Sequence, residues 1–178
     1  MGQKVNPIGL RLGINRDWES TWYDEKHFAD RLKEDIILRR YVLKKYESAS
    51  VSKVEITRTS TKVELTVHTG RPGLIIGKSG SEVDSLKNEL KKLIGYEVAV
   101  KVFEIKRPAL VSCLVGDSIA QQIQKKVNYR RAVKKSIQST ISMGARGVRI
   151  RVAGRLNGAE IARQETFKEG QVPLHTLR

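Results

Sequence analysis

The sequence predicts an α+β protein of two domains, and three observations predict it. Apolar side chains recur at helical spacing in four long segments and at every second position in four shorter ones, and the two patterns are interleaved along the chain. A loop bracketed by glycines, Gly77-Lys78-Ser79-Gly80, separates a strand pair from an amphipathic helix. The charge balance also changes at Lys106-Arg107-Pro108: residues 1–105 carry 19 basic and 15 acidic side chains, whereas residues 106–178 carry 15 and 4. The expected organisation is a basic arm over 1–16, a first domain over 17–105 and a basic second domain over 106–178, with two helices on a small sheet in a sandwich-like layer.

The arm is rich in Gly, Asn, Pro and basic residues, including Lys4, Arg11 and Arg16, without helical or strand periodicity, and is predicted to be irregular. A helix follows from about Asp24 to Tyr46, with Phe28, Leu32, Ile36, Leu43 and Tyr46 as its apolar stripe. The period then changes to two. Val54 and Ile56, then Val63, Leu65 and Val67, alternate with polar neighbours and predict a hairpin. A short helix fits between Pro72 and Ile76. After the glycine loop, Val83, Leu86, Leu90, Leu93 and Ile94 mark another helix, with Ser81 as its N-cap and Gly95 as its stop. Val98, Val100 and Val102 form the next strand, to about Ile105.

In the second domain, helices are predicted over Ala109–Lys126 and Tyr129–Met143, broken near Asn128 and stopped by Gly144. A strand follows with Val148, Ile150 and Val152 on one face and Arg149 and Arg151 on the other. Gly154–Ala162 reads as a turn with a short helix, and the remainder has no assigned element.

The net charge is +15 and the isoelectric point near 10.1. A chain with that excess repels itself unless it meets a polyanion, nucleic acid first and anionic membrane second. The single cysteine, Cys113, permits no intrachain disulfide and is read as a small core residue. The N-terminus lacks a signal-peptide apolar region, and no apolar run approaches a membrane span, so a soluble, intracellular protein is expected. The scattered His27, His68 and His175 suggest no metal site, and no nucleophile–base pair stands out. Trp18, Trp22 and Tyr23 are read as packing against the first domain rather than stacking on bases.

The glycine loop carries the sharpest chemistry. Two glycines let a sugar–phosphate chain approach the backbone closely, the following helix directs its free N–H groups at that chain, and Lys78 adds a cation. A P-loop is the competing reading of Gly77-Lys78-Ser79. It requires glycine at the position held by Pro72, which has no N–H for a phosphate, so nucleotide hydrolysis is disfavoured. The element order over 24–105, with Leu74-Ile75-Ile76-Gly77-Lys78-Ser79-Gly80-Ser81-Glu82-Val83, resembles a KH domain of the prokaryotic type (type II, α-β-β-α-α-β), which holds about four nucleotides.

The helix Tyr129–Met143 is two-faced. Tyr129, Val133, Ile137, Thr140 and Ile141 fall on one side; Arg131, Lys134, Lys135 and Gln138, flanked by Arg130, fall on the other. Its cations repel one another and no acidic residue within the helix offsets them, so a docked polyanion is the favoured reading. Arg146, Arg149, Arg151 and Arg155 are expected to extend this basic surface.

Three segments carry a longer resemblance: Met1-Gly2-Gln3-Lys4-Val5-Asn6-Pro7 with Gly9-Leu10-Arg11-Leu12-Gly13, Gly154-Arg155-Leu156-Asn157-Gly158-Ala159-Glu160-Ile161-Ala162-Arg163, and Val172-Pro173-Leu174-His175-Thr176-Leu177-Arg178. They look like the family of bacterial small-subunit ribosomal protein three. The resemblance implies a cytoplasmic, non-catalytic protein in the head of the small subunit, bound to ribosomal RNA and without a cofactor. It implies a place where mRNA enters, near ribosomal proteins four and five, with proteins ten and fourteen packed nearby. It also implies that Arg130, Arg131 and Lys134 contact incoming mRNA and support its unwinding. Family members usually continue past the last segment through strands that complete the second sheet, so that sheet is expected to be incomplete here. The residues expected on RNA are Lys4, Arg11, Gly77, Lys78, Ser79, Gly80, Arg130, Arg131, Lys134, Lys135, Arg149, Arg151 and Arg155. The alternative is a free KH-type RNA-binding regulator or ribosome-assembly factor.

Overall fold

Residue 3, residues 5–59 and residues 62–173 are described by the computed structural model, and the chain divides into two units, Met1–Ile105 and Lys106–Arg178. Lys4 and the stretch Leu174–Arg178 lie outside the described residues.

The arm is not irregular throughout. Helix α1, Pro7–Arg11, forms one turn because the Asn6 side chain accepts the N–H groups of Ile8 (2.9 Å) and Gly9 (3.3 Å), and proline is tolerated at its first position. Strand β1, Ser20–Thr21, was not foreseen; two residues are too short to show a period. It lies parallel to β2, Val51–Arg58, which pairs antiparallel with β3, Lys62–Thr69, as the predicted hairpin requires. β3 pairs parallel with β4, Glu97–Glu104, and completes a four-stranded sheet. Helices α2 (Phe28–Lys45), α3 (Gly73–Ile76) and α4 (Ser81–Ile94) fill the remaining places. From α2 to β4 the order is α-β-β-α-α-β, the type II KH arrangement. Val54, Ile56, Val63, Leu65 and Val67 point into one core with Ile75, Leu86 and Leu90.

Helix α2 departs from its predicted register. It starts at Phe28 because the Asp24 carboxylate accepts the N–H groups of Lys26 and His27, a local turn that competes with helix. Of the predicted stripe, Phe28, Leu32, Ile36 and Leu43 are 41–56% exposed, and only Tyr46 is buried. The core face is Asp35, Leu38 and Val42, each fully buried.

Asp35 is the reason. One carboxylate oxygen accepts the Ser20 hydroxyl and the Trp22 indole N–H, both at 2.8 Å; the other accepts Nε (2.9 Å) and Nη2 (2.5 Å) of Arg58. Arg58 also donates to Glu34 at 2.6 Å, and Arg39 donates to the Ser20 hydroxyl at 2.6 Å. A buried carboxylate with four donors is tolerable where a bare one is not. The network ties β1 and the end of β2 to α2. Asp84 and Lys87 form an exposed pair on α4 by contrast.

In the second unit a 3-10 turn, Pro108–Leu110, precedes α5, Ser112–Gln124. The single helix predicted from Ala109 is interrupted at Val111, whose backbone is extended. Helix α6, Tyr129–Ser142, is capped by the Asn128 side chain, which accepts the Arg130 N–H at 3.0 Å. Strand β5, Gly147–Gly154, pairs antiparallel with β6, Arg163–Gly170, a strand that apolar periodicity does not show. The core joins Ile119 of α5 and Val133 and Ile137 of α6 to Val148, Ile150, Val152 and Phe167 of the strands.

Candidate nucleic-acid interface

The loop between α3 and α4 is built from two glycines in the left-handed region, Gly77 (φ 68°, ψ −168°) and Gly80 (φ 84°, ψ 2°). They are glycines for different reasons. A Cβ on Gly77 would meet the Glu82 side chain at 2.5 Å, while the space around Gly80 is open. Gly77 therefore also lets the loop close over the first turn of α4. Gly80, not the predicted Ser81, is the N-cap residue; the Ser81 N–H donates back to the Lys78 carbonyl, and among the described residues no side chain caps α4. The positive end of the helix dipole therefore lies at the loop, where it favours an anion such as a phosphate. Lys78 is exposed beside it, and Leu74 and Ile76, 50% and 41% exposed, supply apolar surface next to the loop. Glu82 and Asp84 in the first turn temper the positive field.

Helix α6 buries Tyr129, Ala132, Val133, Ile137 and Thr140 and exposes Arg131, Lys134, Lys135 and Gln138, as its period predicted. Arg131 lies three and four residues from Lys134 and Lys135, which makes them neighbours on the surface. Among the described residues none of the three has an ion-pair partner. Arg130 differs: no acidic residue within the helix offsets its charge, but one on a neighbouring strand does. Its guanidinium reaches Glu165 of β6 at 3.2 Å and donates to the Tyr129 hydroxyl, which itself donates to Glu165 at 3.0 Å. The Arg130 hydrogen bond holds the Glu165 carboxyl below its ordinary range, against a smaller opposing effect of desolvation. A carboxyl lowered in the folded state supports the fold above its ordinary range, and that support fades as pH falls through the lowered value.

Arg149 and Arg151 do not extend the α6 surface. Val148, Ile150 and Val152 face the helices, so the arginines between them emerge on the far side of the β5–β6 ribbon. Arg151 donates to Gln164 across the ribbon, and Arg155, also exposed, donates from Nε to the Ala159 carbonyl at 2.8 Å. Arg11, half-buried at the end of α1, donates to the Pro7 carbonyl at 2.8 Å.

Several side residues depart from their sequence reading. Cys113 is exposed rather than a core residue; its thiol is pushed up by desolvation and then by Asp117, 3.9 Å away, which argues against a nucleophilic role. Trp18 and Tyr23 are 59% and 83% exposed, and only Trp22 turns inward, to Asp35. Among the described residues no group of three or more His, Cys, Asp or Glu side chains could hold a metal ion, and no helix is long and apolar enough to cross a membrane. Glu165 and Lys168, which shape the charge of the second unit, were missed because β6 was.

Comparison with known proteins bears on both units. A model of the KH domain matches residues 37–110, and a model described as ribosomal protein S3, C-terminal domain, matches residues 119–178. The chain is 54% identical over all 178 residues to the small ribosomal subunit protein uS3 of Cytophaga hutchinsonii, covering 70% of that protein. It is 54% identical to uS3 of Ligilactobacillus salivarius and 52% identical to uS3 of Streptococcus sanguinis, again along its whole length, covering 82% of each.

Proposed function

The chain belongs to the ribosomal protein S3 family, and from that premise we propose that it is a structural constituent of the bacterial, cytoplasmic small ribosomal subunit that binds ribosomal RNA and lines the channel through which mRNA enters. The observation that carries the RNA-binding part of this reading is the outward face of α6, where Arg131, Lys134 and Lys135 stand together without ion-pair partners among the described residues. Such a face is offset by a phosphate backbone. The role is structural rather than enzymatic: movement of the message would be driven by translocation, while these cations hold strands apart. Proteins four and five at the channel, and ten and fourteen in the head, are the proposed neighbours. Lys4 and Arg11 would lie on ribosomal RNA.

Ribosomes carrying Arg130→Ala, Arg131→Ala and Lys134→Ala are expected to translate messages with stable hairpins more slowly, with little change on unstructured messages. Equal rates for mutant and wild type on both message types would contradict the mRNA contact. Most of the effect should come from Arg131 and Lys134, because Arg130 is already engaged by Glu165.

Gly77, Lys78, Ser79 and Gly80 form the proposed RNA contact of the first unit. The informative substitution is Gly80→Asp, since a side chain at Gly77 would disturb Glu82. A carboxylate there should weaken single-stranded RNA binding by about fivefold, the effect of about 1 kcal/mol of repulsion at 4 Å in water. Strain at the positive φ should cost roughly 1–2 kcal/mol of stability, short of unfolding the unit. Unchanged affinity in a titration would make this loop scaffold only.

A further inference from the structure

We propose that the second unit bridges two separate RNA segments, one on the outward face of α6 and a double-helical one on the outer face of the β5–β6 ribbon. The proposal rests on reading the α6 face as an RNA contact and adds a second site with its own ligand. Pairing along the ribbon places Arg149 opposite Lys168, Arg151 opposite Thr166 and Ala153 opposite Gln164, all exposed and all on the side away from the helices. Both carboxylates of β6, Glu165 and Glu169, fall at the alternate positions that share a face with Val152 and Val148. The pleat therefore sorts charge, and the outer face is purely cationic. Like charges directly opposite each other destabilise a strand pair, and Arg149 facing Lys168 is such a pair. Among the described residues neither has an ion-pair partner. A docked polyanion removes that cost.

The ribbon's aromatic residue, Phe167, is turned inward, so the outer face offers no ring on which an unpaired base could stack. What it offers is a surface of neutral side chains, Ala153, Gln164 and Thr166, with cations about 7 Å apart along one strand. That suits the sugar–phosphate edges of an RNA double helix, whose wide, shallow minor groove is recognised by shape and backbone contacts. The α6 cations point the other way. With a helical layer between, the two sets are separated by on the order of 20 Å, too far for one short strand to touch both.

The test uses the full chain, carrying Gly80→Asp throughout to weaken the single-strand contact of the first unit, with an immobilised RNA duplex and a fluorescent oligouridylate. This parent, the wild type of the comparison, should retain the oligouridylate on the duplex beads. The ribbon variant, Arg149→Gln, Arg151→Gln and Lys168→Gln, should lose at least about tenfold in duplex affinity, with a log–log salt slope shallower by about 2–3 at roughly 0.9 per phosphate contact, and keep its oligouridylate affinity within about twofold. The helix variant, Arg131→Gln, Lys134→Gln and Lys135→Gln, should show the converse. Melting midpoints of both variants at or slightly above that of wild type establish that neither loss reflects unfolding. Competition of the two RNAs for one site in wild type, an unchanged duplex affinity in the ribbon variant, or equal loss of both RNAs in both variants would overturn the bridge. A helix variant that keeps oligouridylate binding while the ribbon variant loses the duplex would instead show that the α6 reading has failed, and the bridge with it.

Discussion

Replacing Asp35 with Ala is expected to cost the first unit about 3–5 kcal/mol, the range for removing one partner of a buried ion pair. The carboxylate is fully buried and takes four hydrogen bonds, so its loss leaves the Trp22 indole N–H and the Ser20 hydroxyl proton without their acceptor and strips Arg58 of its deepest partner. Glu34 keeps its 2.6 Å bond to Arg58, which favours the lower part of that range. Even so, the loss is a large share of the 5–15 kcal/mol that holds a typical domain together. Both tryptophans lie in the first unit, so urea titration followed by tryptophan fluorescence reports on that unit. Asp84→Ala, which removes only the exposed pair with Lys87, should stay within about 0.5 kcal/mol of wild type. A midpoint for Asp35→Ala that matches the Asp84→Ala control would refute the central place given to Asp35.

The second large effect is on RNA rather than stability. Converting Arg131, Lys134 and Lys135 to Gln should flatten the salt dependence of single-stranded RNA binding by about 2 in log–log slope, at roughly 0.7 per lost phosphate contact. Folding should be unharmed, and helix α6 should gain a few tenths of a kcal/mol as like-charge neighbours disappear. A structural role for these cations predicts the opposite pairing of results, a weaker fold with an unchanged slope. Measuring binding between about 50 and 200 mM salt alongside a thermal melt separates the two.

The period-two strands Val63-Leu65-Val67 and Val98-Val100-Val102 were legible in the sequence because burial on one face imposes alternation. The two faces of α6 were legible for the same reason at a period of 3.6. Helix α2 was misread because its most buried position is an aspartate, and apolar periodicity cannot count a charge that tertiary partners neutralise. β6 was missed because Arg163-Gln164-Glu165-Thr166-Phe167-Lys168 has a single apolar side chain, and its place is set by register with β5. That register also decides the site. The sequence shows Arg149 and Arg151 near α6 along the chain, but only the pairing shows them on the opposite side of the unit, and only it brings Glu165 to Arg130 across 35 residues. The glycine loop was found from spacing alone, but the contact that forbids a side chain at Gly77 involves the packed position of Glu82.

Sedimentation of a native cell extract through a sucrose gradient tests whether this chain works as a part of the small ribosomal subunit. The chain is expected to migrate with the small subunit and with whole ribosomes, and to be released late as salt is raised, like a component held by many phosphate contacts. Recovery solely in the slowly sedimenting fractions at physiological salt would contradict it and favour a free KH-type regulator.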